Sequence, residues 1–331
     1  MTEKMLVLRL SALGGVAMTL PAVYSLAHTY PRLKVVFVTE NRFLDLIIDA
    51  PPNIRVIGVD RSAMRKPGGS LRFLRRLRKE KVDAVVDLHN VFRTWAADAY
   101  LRFIGKRVVV VDKMRLKRRK IKRGEACMKQ SFVEEYFEIF KMLGYPSDPS
   151  VFRGFAFEGV HRDDGVLRIG IAPFSQYETK MLPAGTVDNV LELLSSREEN
   201  VKVSLFGGGE RELKQLEAWR EKYPCLVEYV SGLCGLREEL EIMSGLDVML
   251  AMDSANMHLA SLVGTRVVSV WGSTTPSCGF MGWEQSAADA IVAGLDCQPC
   301  AITGSRGCKL GTMACMKSVT ADEIVAKLVR K

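Results

Sequence analysis

Short apolar runs alternate with longer segments of helical periodicity along most of the 331-residue chain. Runs that are apolar almost throughout predict strands covered on both faces, as in parallel sheets flanked by helices. In the first half the predicted strands are Met5–Leu10, Lys34–Val38, Ile54–Val59, Val82–Leu88 and Arg107–Val111. In the second half they are Leu167–Ala172, Val201–Phe206, Leu226–Val230, Asp247–Ala251, Arg266–Trp271 and Ala290–Val292.

Helices are predicted between these strands. In the first half they are Val16–Thr29, Arg42–Ile48, Ser70–Lys79, Val91–Ile104 and Phe132–Leu143. In the second half they are Ala184–Leu194, Glu210–Lys222, Leu236–Ser244, Met257–Val263 and Thr320–Val329. The β-α alternation occurs twice and is broken by prolines and glycines near 146–164, which predicts two doubly wound α/β domains. We place them at 1–155 and 164–318, with a final helix in 319–331.

The composition is that of a soluble globular protein, with 48% hydrophobic and 26% charged residues. No apolar run has the length of a membrane span. The uncharged stretch Ser11–Ala27 follows a complete strand and is interrupted by Gly14, Gly15 and Pro21. We therefore do not interpret it as a signal peptide, and we expect a cytoplasmic protein.

The charge is distributed unevenly. Residues 1–160 contain 30 Lys and Arg against 16 Asp and Glu, whereas residues 161–331 contain 17 against 22. Eight cations lie between Lys113 and Arg123, and Arg72–Lys81 is also rich in them. This asymmetry predicts that the first domain contacts a polyanion, and the alternative is a solvated basic surface.

Polar side chains follow two of the predicted strands in the second domain. Asp253, Ser254 and His258 lie where a strand gives way to a helix, and such helix N-termini suit phosphate groups. Lys180 lies in the polar loop after Pro173, which also contains Ser175, just before a predicted helix start. A lysine beside a helix N-terminus is best tolerated when an anion lies between them. These residues predict a site for a phosphorylated ligand.

The first domain has its own polar strand end. Asp87, His89 and Arg93 could serve as a base, a hydrogen-bonding group and an anion clamp, and the alternative is a helix cap such as Asn90. Two glycine loops, Gly14-Gly15 and Gly207–Gly209, allow close approach of a ligand but also fit simple tight turns.

Four cysteines near the C-terminus have the spacing C-x2-C-x7-C-x6-C. They are Cys297, Cys300, Cys308 and Cys315. Four thiolates can bind a structural zinc ion tetrahedrally, although the later pair lacks the usual two-residue spacing. Free or packed cysteines are the alternative.

In order along the chain, these motifs resemble the ADP-heptose:lipopolysaccharide heptosyltransferases, glycosyltransferase family nine. The matching segments are Arg9–Gly14 with Thr19–Ala22, Asp87–His89, Ala172-Pro173 with Lys180 and Pro183, Asp253 with His258, Val270–Thr274 and the four cysteines. The resemblance implies a GT-B fold, with two Rossmann-like domains facing across a cleft. The C-terminal domain would bind a nucleotide-sugar, ADP-heptose, and the N-terminal domain an anionic lipopolysaccharide core.

The resemblance also implies an inverting transfer that needs no metal. Lys180 would neutralise the leaving diphosphate and Asp253 would hold hydroxyls of the donor sugar. The expected donor contacts at the helix N-terminus are Ser254, Ala255, Asn256, Met257 and His258, together with Ser175. The expected acceptor contacts are Arg93, Arg118, Arg119 and Lys120. The implied location is the cytoplasmic face of the inner membrane, with peripheral membrane contact and no nucleic-acid partner.

One position departs from the family. Its members usually carry Asp directly after the glycine of the first loop, as the expected catalytic base, and this chain has Gly15 there. Asp87 and His89 are the candidate replacements. An alternative is a non-catalytic or weakly active homologue that binds a nucleotide-sugar or glycolipid. A third hypothesis is a sugar-nucleotide epimerase, but its small soluble substrate would leave the basic run Lys113–Arg123 without a function.

Overall fold

The computed structural model describes residues 3–112, 120–121, 131–158, 160, 164–197, 200–232, 234–305 and 307–330. The described chain forms two compact units. The first contains 3–112 and 132–153, and the second contains 120–121 and the described residues from 154 onward. Apart from Lys120 and Ile121, the basic run Lys113–Arg123 lies outside the described residues, as do Arg118 and Arg119.

The first unit is a five-stranded parallel sheet in the order β3-β2-β1-β4-β5. Its strands are β1 (Lys4–Leu8), β2 (Lys34–Glu40), β3 (Ile54–Val59), β4 (Ala84–Asp87) and β5 (Arg107–Val110). Its helices are α1 (Leu13–Ala17), α2 (Leu20–Thr29), α3 (Arg61–Arg65), α4 (Gly69–Lys79), α5 (Phe92–Phe103) and α6 (Phe132–Met142). Short 3-10 helices span Asn41–Leu46 and Pro149–Val151.

The second unit is a six-stranded parallel sheet in the order β11-β10-β9-β6-β7-β8. Its strands are β6 (Leu167–Ala172), β7 (Val201–Leu205), β8 (Val227–Val230), β9 (Val248–Met252), β10 (Arg266–Trp271) and β11 (Ala290–Val292). Its helices are α7 (Ala184–Ser195), α8 (Glu210–Lys222), α9 (Leu236–Ser244), α10 (Ala255–Leu262), α11 (Ala314–Lys317) and α12 (Ala321–Leu328). Short 3-10 helices span Glu178–Lys180, Pro276–Cys278 and Ala287–Asp289.

The central strands are buried on both faces, as their apolar sequences predict. Four of the five residues of β1 are buried, and every residue of β9 is buried. Continuous apolar strands arise because helices cover both faces of a parallel sheet. The predicted class, two doubly wound Rossmann-like α/β units, is confirmed.

Two helix predictions in the first unit are wrong in detail. The segment predicted at Val16–Thr29 covers the end of α1 and the whole of α2, which separate at Met18 and Thr19. There the Thr19 hydroxyl donates to the Val16 carbonyl at 2.7 Å, a local bond that competes with the regular helix pattern. The segment predicted at Arg42–Ile48 is the 3-10 helix Asn41–Leu46. It is only six residues long, and 3-10 geometry is common in short connecting segments of this kind.

The strand order in each sheet changes direction once. In the first unit the chain builds outward on both sides of the β1–β4 pair, and in the second on both sides of the β6–β9 pair. In open α/β sheets a crevice forms outside the carboxyl ends of the strands at such a switch point, and ligands bind there. Within the described ranges, no helix combines the length and the apolarity that crossing a membrane requires.

Gly170, in β6 at the centre of the second sheet, tests how tightly this core is packed. An added Cβ would lie 2.2 Å from Met249 Sδ and 2.6 Å from Leu246 Cδ1. We expect Gly170→Ala to lower the free energy of unfolding by about 1–3 kcal/mol, because overpacking forces neighbours to shift. Denaturation in urea measures this change.

The control is Gly185→Ala in helix α7, where an added Cβ meets no atom within 4 Å. That substitution should raise stability by roughly 0.5–1 kcal/mol, because alanine favours a helix over glycine. Equal effects of the two substitutions would contradict the tight packing of β6.

Candidate functional site

A buried ion pair lies at the switch point of the second unit. Lys180 follows β6 and Asp253 follows β9, and Lys180 Nζ lies 3.0 Å from Asp253 Oδ2. Thr274, which follows β10, donates its hydroxyl proton to the same carboxylate oxygen at 2.6 Å. The carboxyl ends of three adjacent strands therefore place a cation, an anion and a hydroxyl together, as the sequence predicts for the first two.

A supporting network holds Lys180 in place. The Thr179 hydroxyl lies 3.0 Å from Ser273 Oγ and donates to the Gly304 carbonyl at 3.2 Å. Gly304 adopts a positive φ of 78°, and a Cβ there would lie 2.9 Å from Lys180 Cδ. The loop at Gly304 thus packs directly on the lysine stem, and a side chain would not fit. Sequence reasoning assigned no role to Thr179, Thr274 or Gly304, although Thr274 ends the matching segment after β10.

The N-terminus of α10 lies beside the ion pair in sequence. Its N-cap is Ser254, whose hydroxyl makes no capping bond and is buried without a hydrogen-bond partner among the described residues. The amides of the first helical turn are therefore available as donors, with the positive end of the helix dipole. Ala255 and Asn256 are half-buried and His258 is buried one turn later.

Two predicted donor contacts have restricted roles. The Met257 side chain is fully buried, so that only its backbone could contact a ligand. The Ser175 hydroxyl donates to the Asp253 carbonyl at 3.4 Å and thereby helps to connect the loop after β6 to the end of β9. The structure places Ser175, Lys180, Asp253 and Ser254 at one switch point.

The second glycine loop fits a structural turn. The Gly207 amide donates to Ser231 Oγ at 2.8 Å, and the Gly208 amide donates to the Glu212 carboxylate at 2.9 Å. Because these donors already have protein partners, the alternative of a tight turn is favoured over a ligand contact.

In the first unit, Asp87, a candidate base, is buried inside the turn that follows β4. Its Oδ1 accepts hydrogen bonds from the amides of His89 at 2.7 Å and Asn90 at 3.0 Å. The side chain is fully buried. Asp87 therefore shapes the turn and does not face a ligand, which corrects its assignment as a candidate base. Asn90, with a φ of 46°, continues this turn and is not the N-cap of α5.

A second buried carboxyl group, Asp98 of α5, pairs with Asp87. Burial, and then the charge and hydrogen bond of Asp87, raise the pKa of Asp98 to about 8, while the nearby Arg102 guanidinium lowers it. Because the charge of Asp87 disfavours a second negative charge beside it, Asp98 retains its proton at neutral pH. The contact between the two carboxyl groups connects α5 to the turn that carries His89.

The first loop has a cation packed against Gly15. Arg9 follows β1, and its NH1 donates to the Leu88 carbonyl at 2.5 Å. A Cβ added to Gly15 would lie 2.0 Å from Arg9 NH2. The guanidinium thus fills the space above Gly15, and its Nε is buried without a hydrogen-bond partner among the described residues.

Further cations surround one buried acid at the end of β2. Glu40 accepts a hydrogen bond from Arg42 Nε at 2.8 Å and lies 3.8 Å from Arg61 NH1. Burial, and then the charges of Arg61 and Arg65, lower the pKa of Arg93, while Glu40 raises it. Repulsion between these guanidinium groups would fall if an anion bound among them. Arg93 and Arg65 also line a cavity of about 150 Å³ between α4 and α5.

Lys120 is exposed and groups with the second unit, where its neighbour Ile121 is buried. It therefore does not lie on the first unit, to which its acceptor role was assigned. Of the four predicted acceptor contacts, only Arg93 is placed by the structure in the first unit.

The four C-terminal cysteines lie within electrostatic range of one another. Burial, and then neighbouring thiols, raise the pKa of Cys300 and Cys315, whereas backbone amides, that of Met313 foremost, lower the pKa of Cys308. Within the described chain, no three His, Cys, Asp or Glu side chains are grouped so that they could hold a metal ion. The thiols as placed do not fit the tetrahedral zinc site, and we assign no step to a metal.

The buried ion pair makes Lys180 a test of charge compensation. We expect Lys180→Met to cost about 3–5 kcal/mol of unfolding free energy, because it leaves the Asp253 carboxylate buried without its cation. The double variant Lys180→Met/Asp253→Asn should recover most of that loss. Denaturation in urea compares the variants.

The matched control is Lys222→Met, which removes an exposed ion pair with Asp188. Its cost should be within about 1 kcal/mol. If Lys180→Met cost no more unfolding free energy than this control, burial would not increase the contribution of the Lys180–Asp253 pair to stability.

Asp98 predicts a pH dependence of stability. Its pKa is higher in the folded state than in the unfolded state, so the proton that it retains stabilises the fold at low pH. That contribution is lost as the pH rises from about 4 through about 8, by up to about 1.4 kcal/mol per pH unit. Asp98→Asn should remove this dependence, as measured by urea denaturation over the pH range.

Asp148→Asn is the control. Asp148 is exposed, and hydrogen bonds from Ser150 lower its pKa, so the difference in stability between the wild type and Asp148→Asn should stay constant above about pH 4 and diminish only in acid. A difference between the wild type and Asp98→Asn that stays constant between about pH 4 and pH 9 would exclude the raised pKa of Asp98.

Comparison with known proteins identifies the family. Residues 70–310 match the sequence profile of glycosyltransferase family 9 (heptosyltransferase). Lipopolysaccharide heptosyltransferase 1 of Pseudomonas aeruginosa is 26% identical, over 90% of this chain and 86% of that protein. Among solved structures, a family 9 glycosyl transferase from Veillonella parvula has a TM-score of 0.74 at 17% identity, covering 100% of this chain and 98% of that one.

A second solved structure is Escherichia coli heptosyltransferase WaaC with ADP-2-deoxy-2-fluoro heptose. Its TM-score is 0.66 at 19% identity, covering 91% of this chain and 97% of that one. These likenesses support the GT-B fold class, to which the two doubly wound units correspond. The profile spans well over half of the chain, and the chain therefore belongs to glycosyltransferase family 9, the heptosyltransferases.

Proposed function

We propose that this glycosyltransferase moves heptose from ADP-heptose onto the anionic inner core of a lipopolysaccharide, with inversion and without a metal ion. The observation that carries the proposal is the Lys180–Asp253–Thr274 cluster at the start of α10, in a chain that matches the heptosyltransferase profile. The related WaaC structure contains an ADP-heptose analogue, which supports the same donor here.

The donor would bind through its diphosphate at the switch point of the second unit. The amides of Ala255 and Asn256 and the unpartnered Ser254 hydroxyl offer hydrogen bonds to phosphate oxygens. Lys180 would then divide its charge between Asp253 and the diphosphate. Because the leaving group gains negative charge as its bond to the sugar breaks, a fixed cation stabilises the transition state more than the ground state.

Asp253 would accept hydrogen bonds from hydroxyl groups of the donor sugar. Its Oδ2 already accepts from Lys180 and Thr274, which leaves Oδ1 without an assigned partner for that role. The buried pair fixes the carboxylate in position before the donor arrives, and preorganised groups lose little freedom on binding.

The acceptor would bind the cations of the first unit. Arg93 is the predicted contact. We add Arg9, Arg61 and Arg65, because these guanidinium groups together carry more positive charge than the nearby Glu40 carboxylate can neutralise. Arginine suits carboxylate and phosphate groups, which it can contact with two parallel hydrogen bonds. The large positive charge of residues 1–160 would attract the same acceptor over a longer distance.

In the transfer, an acceptor hydroxyl oxygen would attack the anomeric carbon while the bond from that carbon to the diphosphate breaks. ADP leaves with the electron pair of that bond, and the hydroxyl proton must pass to a base. We assign the proton to His89, whose side chain is 7% exposed, because the Asp87 side chain is fully enclosed and already accepts two backbone hydrogen bonds, and Gly15 has no side chain. Imidazole is the most frequent general base near neutral pH.

Because the core acceptor is attached to a lipid, we also propose that the protein works in the cytoplasm, in peripheral contact with the inner membrane. Nucleic acid is not a proposed partner.

A binding protein without transfer activity is the second candidate function. The specific observation that favours it is Gly15 itself, which has no side chain where the resemblance implies a carboxylate and lies against the Arg9 guanidinium. Gly15→Asp alone would pair the new carboxylate with Arg9, so a gain of activity from that substitution is not expected under either function.

Release of ADP from ADP-heptose in the presence of a soluble core acceptor tests the two candidates. We expect turnover by the wild type, and a loss of about 10²–10⁴-fold in kcat for His89→Gln, because that variant lacks the proton acceptor. ADP-heptose should raise the Tm of both proteins, since His89 belongs to the first unit and the proposed donor contacts to the second.

Donor stabilisation without ADP release by the wild type would favour the binding protein. Full activity of His89→Gln would reject His89 as the base and leave the transferase assignment intact. Asp253→Asn is the matched donor-site variant, and it should lose both the Tm shift and turnover.

A further inference from the structure

Helix α5 exposes an apolar stripe along its length. Phe92, Trp95 and Phe103 are 81%, 43% and 88% exposed, and Ala96 and Ala99 are exposed between them. The Phe92 and Trp95 rings also contact each other edge to face, with centroids 6.0 Å apart. The exposed face of a surface helix is ordinarily charged or polar, so this face has the character of a contact surface.

The five positions share one side of the helix. At 3.6 residues per turn, positions 92, 95, 96, 99 and 103 fall within about 100° of one another, and they extend over about 16 Å of the helix axis. The opposite side of α5, with Ala97 and Leu101, is buried in the core of the sheet. Helix α5 is thus apolar both toward the core and toward the outside.

The neighbouring helix α4 supplies positive charge on the same side of the sheet. Phe73 and Leu77 of α4 lie in the same core cluster as Ala97 and Leu101 of α5, so both helices cover one face. The outward side of α4 carries five exposed cations and one half-exposed leucine. They are Arg72, Arg75, Arg76, Arg78, Lys79 and Leu71.

We propose that the α4–α5 face of the first unit docks on an anionic lipid bilayer. The α5 aromatic rings would insert at the level of the headgroups, and the α4 cations would contact lipid phosphates. Aromatic side chains favour the membrane interface, and basic residues beside them add electrostatic attraction to anionic lipid. The inference rests on the proposed function, in which the acceptor is attached to a lipid, and it names the surface that holds the enzyme there.

Charge complementarity selects the bilayer over a protein partner. The cations flank the apolar stripe as a separate row on α4, whereas the core of a protein interface is depleted of charge and would need matched acidic residues. No acidic residue is exposed on α4, and on α5 Asp98 is buried toward the core. A second copy of this face would therefore repel the first.

Cosedimentation of the full-length protein with vesicles tests the proposal. The vesicles are phosphatidylcholine alone, or an equimolar mixture with phosphatidylglycerol, and no donor or acceptor is present. We expect binding to the mixed vesicles that falls steeply as sodium chloride is raised. Phe92→Ser/Phe103→Ser should lower the partition coefficient at least tenfold, because two exposed rings lose their burial in lipid.

Charge reversal on α4 tests the electrostatic contribution to vesicle binding. Arg75→Glu/Lys79→Glu should abolish the preference for phosphatidylglycerol. The matched control is Met142→Ser, which removes a 73% exposed apolar side chain from α6, a helix that packs against α2 and outside the α4–α5 core. Its binding should equal that of the wild type.

Several results would overturn the proposal. They are wild-type binding by the double aromatic variant, binding independent of salt, and a change in oligomeric state caused by Phe92→Ser/Phe103→Ser. If the double variant does not fold, Phe103→Ser alone provides the comparison, with at least a threefold loss expected.

The vesicle assay and the transferase assay distinguish a failure of the docking proposal from a failure of the proposed function. Phe103→Ser should retain turnover with a soluble core acceptor and lose at least threefold of it with the acceptor embedded in vesicles. Vesicle binding without ADP release would reject the proposed function and leave the docking face intact, whereas ADP release without vesicle binding would do the reverse.

Discussion

The buried pairing of Lys180 with Asp253 is the constraint on which the second unit depends. A charge removed from water must be compensated at short range, and here the compensating groups follow three different strands. Their registers must place β6, β9 and β10 so that the three ends meet. The close contact of the Gly304 loop with the lysine stem follows from the same requirement, since a side chain at that position would displace Lys180.

The strands and helices could be predicted where the local pattern is strong. The bounds of β6, β10 and α8 match the predicted segments Leu167–Ala172, Arg266–Trp271 and Glu210–Lys222 residue for residue. The break between α1 and α2 could not be predicted, because it depends on the hydrogen bond from the Thr19 hydroxyl to the Val16 carbonyl. Helical periodicity does not contain that information.

The same limit applies to the candidate sites. Asp87 ends a strand in a polar motif, and the sequence makes it a reasonable base. Its side chain is fully buried and lies against Asp98, eleven positions later and on another element, and only the tertiary structure brings the two carboxyl groups together. By contrast, Lys180 and Asp253 could be placed from sequence, because both follow strands of a parallel sheet near its switch point.

The Arg9 guanidinium beside Gly15 has a consequence for any side chain placed at that position. A Cβ at residue 15 would lie 2.0 Å from Arg9 NH2, so the guanidinium must shift before a substitution there can be accommodated. A carboxylate introduced at residue 15 would be paired with the same cation, which favours its ionised form and lowers its pKa. Engineering a base into this loop therefore requires a change at Arg9 together with the change at Gly15.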